Sequence, residues 1–302
     1  MSRRELFTSQ SNVFSGFQKP FDKADYVVLG VPFDATSTYR TGARFGPNAV
    51  RQASLNIETY SFRTGIDVED LCMHDAGDLH VSADARTTVN VLASVAEEVF
   101  EAGKVLLALG GEHTITLGAA TALKDIASST AIVCFDAHLD LRSEFLGLKL
   151  SHTTFMRRIN EEVKPAKIIE VGTRAVANEE ISYAKKASID FFTVHQIRRE
   201  GVSRFAESLC AALGDYERLY VSVDMDVLDP AYAPAVQNPE PDGLETHALL
   251  DMLQAVCDER VVGFDVLEVA PNYDLGVSAV QAAKIAFEML CGIELSKRRR
   301  HK

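Results

Sequence analysis

Three side chains able to bind a cation recur at alternate positions in Ile132-Val-Cys-Phe-Asp-Ala-His-Leu-Asp-Leu-Arg142: Asp136, His138 and Asp140. In extended backbone, residues two apart face the same way. The spacing therefore aims two carboxylates and an imidazole at one point. Buried charges of one sign repel and resist desolvation unless a cation lies between them. A divalent metal meets that need; three solvated loop side chains are the alternative. A second acidic pair with the same spacing, Asp224-x-Asp226, is followed by a turn at Asp229-Pro230. His113 follows Gly110-Gly111, which lets a backbone bend tightly at a strand end. On its own, His113 reads first as a capping or hydrogen-bonded histidine. Together the six residues supply two imidazoles and four carboxylates, enough formal charge for two divalent cations. A carboxylate-rich set without thiolate suits Mn²⁺ better than structural Zn²⁺. Two such ions sharing a water bring its pKa from near 16 towards about 7, making a nucleophile at neutral pH.

These groups need elements to carry them. Apolar runs rich in β-formers predict strands at Tyr26–Val31, Leu71–His74, Val105–Leu109, Ala131–Phe135, Lys167–Val171, Ile189–Thr193, Leu219–Val223 and Val261–Val266. Helical stretches cover Ala85–Ala102, Ile115–Ile126, Asn178–Lys186, Val202–Leu213, His247–Cys257 and Ser278–Cys291. Alternation of the two predicts an α/β fold with a mainly parallel sheet, and the absence of linkers or repeats predicts one domain over residues 1–302. In such sheets ligands bind beyond the carboxyl ends of the strands. Gly110-Gly-Glu-His113, the Asp136 cluster, Asp224-x-Asp226 and Glu268 all follow predicted strands, so they can converge on one rim.

The chain carries 31 basic and 43 acidic residues, a formal net charge of −12. That balance disfavours a nucleic-acid binder, which normally shows a basic surface. It fits a cationic substrate only weakly, because steering follows the field at the site. Five cysteines, Cys72, Cys134, Cys210, Cys257 and Cys291, form no CxxC pair and suggest a reducing compartment. Met1-Ser-Arg-Arg-Glu-Leu-Phe7 lacks the apolar core of a signal peptide. No apolar run reaches the length of about 18 residues that a membrane span needs. The expectation is a cytoplasmic protein without a membrane partner. The basic run Lys297–Lys302 reads as a disordered, solvated tail.

Gly110-Gly-Glu-His113, Phe135-Asp-Ala-His-Leu-Asp140 and Ser222-Val-Asp-Met-Asp-Val-Leu-Asp-Pro230 resemble the three metal-binding signatures of the ureohydrolase family, which contains arginase and agmatinase. The resemblance covers nearly the whole chain. Gly30-Val-Pro-Phe-Asp34, the stretch Arg40–Arg51 and Asp265-Val-Leu-Glu-Val-Ala-Pro-Asn-Tyr-Asp274 look like the agmatinase branch. The resemblance implies an arginase-like three-layer α/β/α fold with a mainly parallel eight-stranded sheet. It implies two Mn²⁺ per subunit, one held by His113, Asp136, Asp140 and Asp224 and the other by Asp136, His138, Asp224 and Asp226. Asp140 would orient a metal-bridging hydroxide that attacks the guanidinium carbon of a small cationic substrate. Glu268 would pair with that guanidinium. His152, in Ser151-His-Thr-Thr154, matches the family's proton-shuttle histidine, and its ordinary titration range suits work near pH 7; outside that context it reads as an exposed helix-start residue. Agmatine would yield urea and putrescine, and the assembly would be a homo-oligomer, trimeric or hexameric.

Two places depart from the common agmatinase pattern. Ala235-Val-Gln-Asn-Pro-Glu-Pro-Asp-Gly-Leu-Glu245 stands where a Gly-Thr-Gly-Thr-Pro-like loop is usual, and Thr153 follows His152 where glycine is usual. Both look more like archaeal agmatinase-type sequences, whose substrates extend to aminopropylated agmatine. Arg142 stands where arginases carry asparagine. It would repel a terminal ammonium unless paired, or grip a carboxylate as in a guanidinobutyrase; Glu144 would attract an ammonium; both can equally be surface residues. Arginase, guanidine hydrolase, formimidoylglutamase and a catalytically silent metal-binding subunit complete the alternatives. In Arg40–Arg51 the Gly-Pro pair marks a helix start, favouring a structural role.

Overall fold

The computed structural model describes residues 2–9 and 12–300. Among these, nine strands form one sheet: β1 (Thr8–Ser9), β2 (Tyr26–Val31), β3 (Met73–Leu79), β4 (Val105–Gly110), β5 (Thr130–Phe135), β6 (Lys167–Thr173), β7 (Asp190–Thr193), β8 (Arg218–Asp224) and β9 (Val261–Leu267). Their order is β1-β3-β2-β4-β9-β8-β5-β6-β7. All pairings are parallel except that of β1 with β3. The eight predicted strands are all present. The ninth, β1, is a two-residue antiparallel edge too short for any sequence pattern. Residues Tyr60–Ser61 and Ile66–Asp67 form a separate small hairpin.

Parallel strands buried on both faces read as continuous apolar runs, and β4 (VLLALG) and β5 (TAIVCF) are buried throughout. Alternate side chains enter two cores. Leu107, Leu109, Val133 and Phe135 join one; Leu106, Ile132 and Cys134 join the other. Helices cover both faces, giving three layers. Helix Ala85–Glu101 begins at Asp84, whose carboxylate accepts the Thr87 N–H at 2.6 Å. The predicted helix Ile115–Ile126 is interrupted: an α-helix spans Thr116–Ala122 and a 3₁₀ stretch follows over Lys124–Ser129.

Strand β3 runs further than expected, through Asp75-Ala-Gly-Asp-Leu79. The charges there are matched by fully buried Arg51, which donates to Asp75 at 2.8 Å through both Nε and Nη2 and also to Asp78. Arg51 belongs to helix Gly46–Ser54, which carries Pro47 in its first turn. The Arg40–Arg51 stretch is thus structural at this end. The expectation of a disordered C-terminal tail is corrected, while its exposure stands: helix Val277–Arg300 runs through Lys297–Arg300, and Arg298–Arg300 face solvent. Basic side chains suit a last helical turn. Arg298 donates to Glu294 at 2.7 Å, and the Lys297 ammonium lies 4.5 Å from the Tyr26 ring centre. His301 and Lys302 lie outside the described residues. No described helix is long and apolar enough to cross a membrane.

Candidate metal centre

The four clusters expected at one rim lie at the carboxyl ends of four strands adjacent in the sheet, β4, β9, β8 and β5. Adjacency in space arises from a gap in sequence, because β8 and β9 fill the space between β4 and β5. Gly111 serves a different purpose from the expected bend. A Cβ there would lie 2.0 Å from the Phe33 carbonyl oxygen, so glycine lets two backbones touch beside His113.

The rim brings the six expected metal-ligating residues together. His113 Nδ1 lies 2.9 Å from Asp136 Oδ2, 3.1 Å from Asp224 Oδ2 and 4.0 Å from Asp140 Oδ2. His138 Nδ1 lies 3.3 Å from Asp136 Oδ1 and 3.1 Å from Asp226 Oδ2. Asp136 therefore faces one imidazole with each oxygen. Backbone N–H groups orient the acids: Asp136 Oδ1 accepts from His138 N at 2.6 Å, Asp224 Oδ1 from Asp226 N at 2.7 Å, and Asp226 Oδ1 from Ala137 N at 3.1 Å. The x-positions in Asp-x-His and Asp-x-Asp thus turn the chain so that each acid caps the residue two further on.

A second layer sets the His113 tautomer. Ser222 Oγ gives its hydrogen to Asp265 Oδ1, so at 2.8 Å it accepts from His113 Nε2. Asp265 Oδ2 accepts from Tyr220 at 2.8 Å and Thr116 at 2.9 Å. With hydrogen on Nε2, the Nδ1 lone pair faces carboxylate oxygens. Acceptors meeting acceptors at 2.9 and 3.1 Å call for a positive charge between them, a proton on Nδ1 or a metal ion. The donor chemistry therefore fits divalent metal. Cys134 Sγ lies 3.7 Å from Nε2, the ring nitrogen that meets Ser222, and within 4.8 Å of an Asp136 oxygen; burial pushes its thiol well up, so it enters as a neutral group rather than a thiolate. Phe155 stacks on His113 with centroids 4.2 Å apart; Ser222, Asp265 and Phe155 were not singled out in the sequence, although Ser222 stands two residues before Asp224.

Electrostatics say the same. Burial, then the charge of Asp136, pushes the Asp140 carboxyl well above the usual range. Burial, then Asp226 and Asp136, does so for Asp224. Burial also opposes ionisation of Asp136, but the adjoining His113 and His138 imidazoles outweigh it and hold that carboxyl below the usual range. Glu268 accepts the His113 backbone N–H through Oε1 at 2.6 Å, while buried Oε2 has no partner. Asp140 and Glu268 also share left-handed backbone, with φ of 50° and 70°. They are two of seven described non-glycine residues with this uncommon backbone, and the two that lie among the acids of the site.

His152 is buried, not an exposed helix-start residue. Its Nε2 lies 3.1 Å from Thr38 Oγ1 and its Nδ1 lies 3.4 Å from Asn238 Nδ2. Burial, then the neighbouring His138 and His113, pushes it down to about 4, below the range expected from its type.

A cavity of about 280 Å³ opens over His138, Asp140 and His152. Arg142 lines it, leaning towards Glu179 and Glu180 at 3.8 and 3.9 Å with its guanidinium 5.0 Å from the Phe145 ring. Glu144 is exposed and is not among the lining residues. Glu240 is, and sequence reasoning passed over it within the unusual 235–245 loop. Arg174, also missed, pins that loop: it donates to the carbonyls of Asp226 at 2.6 Å, Glu240 at 2.9 Å and Pro241 at 3.0 Å. An arginine just after β6 was its only signal.

Fold and site together define a hydrolase of the strand-end, carboxylate–imidazole kind. The sequence model of the arginase family matches residues 24–292, and the chain belongs to that family of hydrolases acting on guanidino compounds. It is 33% identical over 286 residues to an agmatinase of Bacillus anthracis, covering 93% of this chain and 96% of that protein. It is 35% identical to an N(1)-aminopropylagmatine ureohydrolase of Thermococcus kodakarensis, covering 88% and 90%. The crystal structure of agmatine ureohydrolase of Thermoplasma volcanium superposes with a TM-score of 0.88 at 33% identity, covering 98% of each chain.

Proposed function

We propose that the protein is an agmatinase-type ureohydrolase that cleaves agmatine to urea and putrescine with two Mn²⁺ ions, held by His113, Asp136, Asp140 and Asp224 on one side and by Asp136, His138, Asp224 and Asp226 on the other. The observation that carries this reading is Glu268: a carboxylate fixed through Oε1 beside the acid–imidazole cluster, with Oε2 buried and unpartnered. Such an oxygen calls for a donor, and a planar guanidinium offers two in fork geometry. When bound, the two cations supply Lewis acidity and a water-derived nucleophile at neutral pH. Glu268 fixes the plane of the guanidinium against that attack. Asp140 receives the proton from the attacking water at a carboxylate oxygen and delivers it to the departing amine nitrogen, with His152 assisting its exit. Five unpaired cysteines support a cytoplasmic setting, and relatives named agmatinase and N(1)-aminopropylagmatine ureohydrolase support a polyamine-pathway role.

Urea release by Mn²⁺-loaded protein from agmatine, N1-aminopropylagmatine, arginine, 4-guanidinobutyrate and guanidine tests the reading. Turnover of agmatine without turnover of arginine is expected. Urea from 4-guanidinobutyrate and none from agmatine overturns it, as does silence on all five with two metals bound.

A further inference from the structure

The ionised groups at the mouth of the cavity differ in how fully their polar atoms are used. Glu180 uses Oε1 on the Leu141 N–H at 3.0 Å and Oε2 on the Ala177 N–H at 2.9 Å. Arg142 sits against the two carboxylates of Glu179 and Glu180, which together outweigh its charge. Glu240 differs. Its side chain is 39% exposed and lines the cavity, and its carboxylate makes no hydrogen bond among the described residues. The nearest basic side-chain nitrogen is His138 Nε2 at 3.9 Å, beyond hydrogen-bonding reach, and Arg174 acts on it only through space. Its backbone is nevertheless held, because the Glu240 carbonyl accepts from Arg174. A free carboxylate on a fixed backbone stands one imidazole ring away from the ligand cluster. A chain of a few methylenes bridges that separation.

We propose that Glu240 is the residue that selects substrates bearing a second cation, holding the terminal ammonium of the guanidino compound at the cavity mouth. This rests on the guanidino-hydrolase reading above and deepens it. Glu268 takes the end common to all guanidino substrates, and Glu240 reads the other end. A carboxylate tail is turned away by the same group, and an uncharged tail leaves it unpaired.

The test pairs the isosteric Glu240→Gln variant with two ligands, agmatine and pentylguanidine, in which a methyl replaces the ammonium. KM and kcat come from urea release; where no urea appears, calorimetry gives the dissociation constant. In Glu240→Gln the preference for agmatine over pentylguanidine falls about 10- to 100-fold, carried by KM, as expected for losing a charged hydrogen bond. Glu240→Lys moves preference towards 5-guanidinopentanoate. Bound Mn²⁺ is measured in each variant. Equal losses on both ligands with reduced metal content place Glu240 behind His138 as a metal-positioning residue and overturn the proposal. An unchanged preference overturns it too. If agmatine binds without releasing urea, yet binds more weakly to Glu240→Gln, the assigned reaction fails and the tail subsite stands.

Discussion

The buried acid–imidazole cluster, the inner end of the site, and the mouth of the cavity beside it are built differently. At the inner end, Asp136, Asp224, Asp226 and Glu268 each accept a backbone N–H, and a second layer holds His113 from behind. At the mouth, Arg142 meets its acidic neighbours only at 3.8 and 3.9 Å, Glu240 has no hydrogen-bond partner for its carboxylate among the described residues, and Glu144 is exposed. Side chains on strand ends with backbone donors have one arrangement; side chains on loops facing water have several. The inner end meets the group every substrate of the class shares, and the mouth meets the part that varies. Loop exchange at the mouth can therefore change specificity while leaving the chemistry intact.

The harshest way to break this comparison is Asp136→Asn at the inner end. One oxygen of Asp136 faces each imidazole, so losing its charge harms both halves of the centre. Bound Mn²⁺, measured by plasma mass spectrometry, should fall to near zero, and urea release should drop about 1,000-fold or more. Retained metal with near-normal turnover would refute the dinuclear assignment.

A milder change probes the layer behind. Ser222→Ala leaves His113 Nε2–H with only the weak Cys134 sulfur acceptor at 3.7 Å and loosens the ring. Loss of such an outer partner weakens metal affinity about 10- to 100-fold. A metal titration with a competing chelator reads this directly. An unaltered affinity would mean that the Phe155 stack and the Cys134 sulfur suffice to orient the ring.

The inner end was legible in sequence because its information is local. Asp136, His138 and Asp140, and Asp224 with Asp226, announce themselves by spacing, and each follows an apolar run that the structure makes a strand. The mouth was not. Arg142 and Glu144 stand out in sequence for lying just past Asp140, but Glu144 points to solvent, and Glu240 enters the cavity from a loop about a hundred residues later. Arg174 escaped for the same reason, since its partners are backbone carbonyls that no sequence pattern marks. The extension of β3 through two aspartates was hidden because the cation that neutralises them, Arg51, lies on another element. The ordered C-terminal turn was hidden because a charge run looks disordered until Tyr26 and Glu294 are seen beside it.

The smallest expected effect is the one that most sharpens the contrast. Arg142 is a cation lining a cavity assigned to a cationic substrate, a position that invites a functional role. Its contacts argue otherwise: two long ion pairs to Glu179 and Glu180 and a guanidinium lying over the Phe145 ring, with the side chain 32% exposed. Pairs of this kind contribute roughly 0–1 kcal/mol. Replacing Arg142 by Ala removes a weak repulsion of the ammonium and leaves Glu179 and Glu180 facing the mouth. KM for agmatine should therefore fall by no more than about threefold, with kcat and bound metal unchanged. A tenfold loss in kcat/KM would make Arg142 a substrate contact, and the mouth would then be built as rigidly around its ligand as the inner end is.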